Sequence, residues 1–132
     1  MTYLLDANVL LRLITKEPFE QAQKALALLE RAEAGELELI LDAVILTQIT
    51  YVLFSYYKYS RELIASEVSM LLNTEAFSVA ERDLIERSLS RMAGAKIDFD
   101  DAYLIEKAIK SNWGVASFDR DFASAEVAWL EP

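Results

Sequence analysis

The sequence predicts an α/β fold: a mostly parallel sheet of about five strands covered by helices, in a single domain over residues 1–132. Three observations predict it. Short apolar segments alternate with longer segments at helical spacing. Carboxylates recur where an apolar segment ends or a helix begins. No linker, internal repeat or low-complexity stretch divides the chain, and at 132 residues it is long enough to bury roughly two-thirds of its unfolded surface.

In order, Tyr3 to Leu5 reads as a short buried strand, and Asn8 to Ile14 as a first helix. Pro18 suits the first turn of a second helix, where Ala22, Ala25, Leu26 and Leu29 form a stripe and Gly35 is the stop. Leu37 to Leu41 is the second strand, with Asp42 as the cap of a helix from Ala43 to about Tyr57. That helix is apolar nearly all round (Val44, Ile45, Leu46, Ile49, Val52, Leu53, Phe54), so it is expected to be deeply buried or shared with another subunit. Ser60 caps a helix through Leu72, Phe77 to Val79 is a brief strand, and Glu81 to Met92 is a helix with acids early and arginines later. Gly94 is the breaker before Ile97, and Asp98 caps a helix to about Ser111. Gly114 to Phe118 is a strand, and a short turn leads to the last one, near Val127 to Leu130.

Composition narrows the chemistry. The chain has no cysteine, which excludes disulfides, thiolate nucleophiles and zinc–cysteine sites, and no histidine, which excludes Ser-His-Asp catalysis and imidazole-bound metals. Carboxylate, amide, hydroxyl, lysine and arginine remain. The N-terminus enters an apolar strand with no basic run or cleavage site, and the most apolar stretch, Ala43 to Tyr57, is too short to span a bilayer. A soluble cytoplasmic protein is expected, with no membrane association. The net charge of −9 is unusual for a protein that binds nucleic acid. Bound cations would offset part of it, and Arg12, Lys16, Lys58, Arg61 and Arg120 could form a local basic rim; an ordinary solvated surface explains those five equally well.

Three acidic segments carry the functional signal. Asp6 follows the first strand, with Asn8 two residues on to orient it. Asp98, Asp100 and Asp101 crowd a helix start, where the helix dipole accounts for some but not all of the charge. Ser117 and Asp119 close the next strand, and Asp121 beyond them reads as the cap of the following turn. Alone, Asp6 reads more readily as a turn or cap residue than as a ligand, and Asp119 reads equally well as either. Together, Asp6, Asp101 and Asp119 fall at the carboxyl ends of parallel strands or at adjoining helix starts, which converge on one sheet edge. Carboxylates brought together repel unless a cation lies between them, and Mg²⁺ or Mn²⁺ prefers oxygen ligands.

These motifs resemble the PIN domain and, within it, the VapC-type toxins of toxin–antitoxin pairs, over nearly the whole chain. Leu4-Leu-Asp-Ala-Asn-Val-Leu-Leu-Arg12 looks like the opening motif, Asp98-Phe-Asp-Asp-Ala102 like the third acidic motif, and Ser117-Phe-Asp-Arg-Asp-Phe122 like the closing one. The resemblance implies a three-layer fold and a Mg²⁺- or Mn²⁺-dependent ribonuclease. Asp6, Asp101 and Asp119 would be metal carboxylates, Asn8 and Ser117 polar companions, and a metal-activated water the attacking group. It also implies an RNA substrate, a homodimer and a cognate antitoxin. One motif departs from the family: Gln48 stands in Leu46-Thr-Gln-Ile-Thr-Tyr-Val-Leu53 where the family usually has a glutamate. A glutamine can ligate through its amide oxygen but supplies no charge, so the alternative is a catalytically weakened PIN-like binding module. Asp42, six residues earlier, and Asp100 are the acids that could compensate. A phosphoacceptor signalling domain fits less well, because Asp6 stands alone after the first strand.

Overall fold

In a computed structural model, which describes every residue except Ala125 and the side chain of Ser124, the expected alternation is present. The elements run β1 (Thr2–Leu4), α1 (Ala7–Thr15), α2 (Phe19–Glu33), β2 (Glu38–Leu41), α3 (Ala43–Ser55), α4 (Arg61–Leu72), β3 (Phe77–Val79), α5 (Arg82–Ala95), α6 (Phe99–Ser111), β4 (Val115–Ala116) and β5 (Trp129–Leu130). A single 3-10 turn, Arg120–Ser124, links the last two strands.

All strand pairs are parallel, but the five strands do not form one sheet. Among the described residues, β1, β2 and β3 make one sheet in that order, and β4 pairs only with β5. The strand positions were legible; the edge-to-edge partnership was not. One consequence corrects the expected buried first strand. β1 has β2 on one side only, and its side chains lie in solvent, with Leu4 75% exposed. Leu5, one residue on, returns to the core.

Apolar side chains make two cores. The larger combines Leu39 and Leu41, which share one face of β2, with Ile45, Leu46, Ile49 and Leu53 of α3, Ile64 and Leu72 of α4, Ile85 and Leu89 of α5, and Phe99 of α6. The smaller consists of Ile105 and Ala108 of α6 with Val115 and Phe122. Thus α6 spans both, with its first turns in one core and its later turns in the other.

Local signals fixed most helix ends. The Asp42 carboxylate accepts from the Val44 N–H at 2.9 Å, and Ser60 Oγ accepts from Leu63 N–H at 3.1 Å, as helix caps do. Gly35 takes φ +80° just beyond α2, the left-handed conformation that glycine adopts without a Cβ penalty. Two ends differ from expectation. Gly94 does not break α5, which runs to Ala95 and stops where Lys96 turns left-handed; one glycine costs a helix only about 1 kcal/mol. Asp98 occupies the cap position of α6, but its side chain makes no capping bond and turns to Arg61 instead. The apolar circumference of α3 divides in two: Leu46, Ile49 and Leu53 are fully buried, while Val44, Tyr51 and Phe54 stay exposed.

Candidate active site

The three acidic segments sit at the chain positions the sequence indicates. Asp6 precedes α1 and accepts weakly from the Asn8 N–H, at 3.4 Å, so this carboxylate orients the helix start rather than being oriented by the Asn8 amide. It borders a shallow depression shared with Leu4 and Arg31, and Asn8 faces a different one beside Arg12 and Gln21.

Ser117 and Asp119 are held by a relay of loop bonds after β4. Ser117 Oγ accepts from the Asp119 N–H at 2.9 Å, and the Asp119 carboxylate accepts from the Asp121 N–H at 2.9 Å. The Trp129 indole N–H donates to the Ser117 carbonyl at 2.9 Å, tying the loop to β5. Asp119, rather than Asp121, therefore caps the 3-10 turn. The sequence pattern Ser-x-Asp-x-Asp contains this relay but does not say which acid caps.

Asp101 is the electrostatic centre of the region. Partial burial raises its carboxyl above the ordinary value of 3.8, and the nearby charges of Asp100, Asp119, Asp98 and Asp121 push the same way, in that order. Asp101 and Asp119, eighteen residues apart, thus meet in one negative field. Within that group Asp98 is bonded to a cation, Arg61, at 3.1 Å. Asp6 is not among the charges acting on Asp101. Among the described residues no three carboxylates come close enough together to hold a metal ion.

The donor chemistry around Asp101 fits a hard cation in part. Two carboxylates in an undercompensated field are what Mg²⁺ uses when water supplies the remaining ligands. The third acid expected from the sequence, Asp6, lies between β1 and α1, and among the described residues the outer edge of β1 carries no partner strand.

A cavity of about 380 Å³ opens beside this cluster, bordered by Asp98 and Asp100 on one side and by α3 on the other. Gln48 lies on its wall, exposed, and not in the interior of a buried helix. Tyr51 and Phe54 line it as well; sequence reasoning missed them, although the apolar surplus of α3 was the available signal. Of the five residues suggested as a basic rim, three have partners: Arg12 donates to Gln21, Arg61 to Asp98 and Arg120 to Glu131. No helix is long and apolar enough to cross a membrane among the described residues.

A model of the PIN domain family matches residues 3–128. No curated protein matches the chain. PIN domains are nucleases that generally use divalent metal ions and bind RNA. With a match over nearly its whole length, the chain belongs to the PIN domain family.

Proposed function

We propose that the protein is a metal-dependent ribonuclease of the VapC type, hydrolysing RNA phosphodiester bonds, and that Asp101 and Asp119 hold its Mg²⁺ or Mn²⁺ with Asp6 as a third acid. The observation that carries this reading is the convergence of Asp101 and Asp119 in one negative field within a PIN domain. When bound, the ion supplies Lewis-acid stabilisation of charge developing on phosphate and activation of water. The chain's own part is positional. The Ser117–Asp119–Asp121 relay fixes the orientation of Asp119, and α6 presents Asp101 in its first turn. Asn8 and Ser117 offer polar groups for the water or the phosphate. With no histidine, the carboxylates gathered here are the chain's candidates to accept the proton of the attacking water.

A second reading, a weakened binding module, is favoured by the absence of a three-carboxylate cluster among the described residues and by the neutral Gln48. Cleavage of mixed single-stranded and structured RNA in Mn²⁺ by the wild type, Asp101→Asn and Gln48→Glu separates the two. Cleavage by the wild type, reduced at least ~100-fold in Asp101→Asn, establishes the nuclease. Silence from the wild type with activity in Gln48→Glu establishes the binding module.

The cognate antitoxin and the homodimer belong to the same proposal. Leu63 and Met70, one helical face of α4, and the solvent-facing β1 leave apolar surface for such contacts.

A further inference from the structure

α3 turns its exposed face into the 380 Å³ cavity, which lies within the usual size range of ligand pockets. The walls are chemically mixed. On one side are two aromatic rings three residues apart on the same helical face: Tyr51, 67% exposed, and Phe54, 39% exposed. The Arg61 guanidinium lies 4.2 Å over the Phe54 ring while bonding Asp98, so its plane is fixed from two directions. Polar groups with unused capacity lie on both sides: Gln48 on α3, one turn before Tyr51, and Asp100 opposite. The Gln48 amide makes no hydrogen bond among the described residues, and Asp100 uses one carboxylate oxygen on the Asp101 N–H at 3.0 Å, leaving the other free.

This combination suits few ligands. An anionic group is repelled by Asp100, a cationic one by Arg61, whose charge compensates Asp98, and an aliphatic side chain would leave Gln48 and Asp100 without partners. A neutral, flat heteroaromatic ring satisfies both walls, stacking on the aromatic side and hydrogen-bonding at its edge. We propose that this cavity takes an unpaired nucleobase of the RNA substrate, stacked on Tyr51 beside the Arg61-covered Phe54 ring and read at its edge by Gln48 and Asp100. The proposal rests on the ribonuclease reading and adds a specificity subsite to it. Asp100 adjoins Asp101 in the chain, so a base seated here brings its own backbone beside the candidate catalytic acids. A carboxylate oxygen only accepts, whereas the glutamine amide also donates. Guanine, with ring and exocyclic N–H donors next to a carbonyl, matches that pair best.

The test is fluorescence anisotropy with a labelled eight-residue oligouridine carrying one central guanosine, compared with the same strand abasic at that position. Calcium is present to compensate the acids. Wild type should bind the guanosine strand about tenfold more tightly than the abasic one. Tyr51→Ala should lose about that factor on the guanosine strand and none on the abasic strand, and Tyr51→Phe should keep it. Tyr51 is too exposed for the alanine to disturb the core. Equal binding of the two strands by wild type, or guanosine-strand binding unchanged in Tyr51→Ala, overturns the proposal and leaves this face to a protein partner. The Mn²⁺ cleavage assay separates failures. Cleavage with no base preference, alike in wild type and Tyr51→Ala, removes the subsite and leaves the nuclease. Guanosine-dependent binding without cleavage removes the nuclease and leaves the subsite.

Discussion

The larger core and the smaller one place very different packing behind the two halves of the candidate site. Behind α3, α5 and the start of α6 lie side chains with essentially no exposure, among them Leu46, Ile49, Leu53, Ile64 and Ile85. Asp101 stands on that foundation, one residue from the fully buried Ala102. Behind Ser117 and Asp119 are two strands of two residues each and a cluster of four buried side chains. The acids at this end owe their placement to polar loop bonds and to the Trp129 indole as much as to apolar burial. One member of the pair is therefore fixed by the fold and the other by a thin layer leaning on α6. Regions with few buried contacts open at lower free energy than the global transition.

The contrast breaks most decisively where it predicts the largest energies. Leu53→Ala, at a position with no exposure, should cost about 2–5 kcal/mol in urea unfolding, because a cavity is left in a densely packed interior. Val115→Ala in the smaller cluster should cost about 1–2 kcal/mol, at roughly 0.8 kcal/mol per buried carbon. Equal losses would mean that the two cores are one cooperative unit. Gly114→Ala comes next. A Cβ there would lie 2.7 Å from the Ala128 carbonyl oxygen, a backbone atom with little freedom to retreat, so β4 and β5 must separate. The expected cost is about 1–3 kcal/mol. Both tryptophans, Trp113 and Trp129, are in this layer, so their fluorescence should change at lower urea than the far-ultraviolet signal of the helices. Coincident transitions in this variant would sink the idea of a separately fragile layer.

The same difference explains what the sequence could reveal. Helix caps at Asp42 and Ser60, the stop at Gly35 and the stretch from Ala43 are local matters of hydrogen-bonding capacity and apolar spacing, and they are where the pattern put them. Whether β1 lies beside β4 is a long-range question, and strands of two or three residues carry too little pattern to answer it; hence one expected sheet became two. The site shows the same split. The meeting of Asp101 with Asp119 followed from their positions at the helix start and the strand end. The place of Asp6 depended on strand order, which periodicity does not encode. The Arg61–Asp98 pair, 37 residues apart, left no sequence signal, while the exposed rings of α3 left one, an apolar circumference that fits deep burial or a subunit interface equally well.

The gentlest test addresses the field in which Asp101 and Asp119 meet. Burial and four neighbouring carboxylates hold the Asp101 carboxyl above 3.8 in the folded chain, whereas the unfolded chain releases that proton near 3.8. Between those two values the folded state binds more protons than the unfolded one, so this group lowers stability as pH rises through that window. Below 3.8 both states are protonated and the penalty vanishes. Asp101→Asn removes the ionisation and keeps the shape. Its melting temperature, relative to wild type without divalent cations, should climb as pH is raised from below 3.8 and level off once the folded carboxyl has ionised. Because Asp101 is largely solvated, the effect should be the smallest of the three. The difference made by Asp101→Asn should be the same in an Asp6→Asn background, since Asp6 is not among the charges acting on Asp101. If the difference shrank there, Asp6 would share the field, and the three-acid site would be assembled in the isolated chain. A pH-independent difference for Asp101→Asn would instead show that the carboxylates at this end do not repel, removing the electrostatic reason for a cation between them.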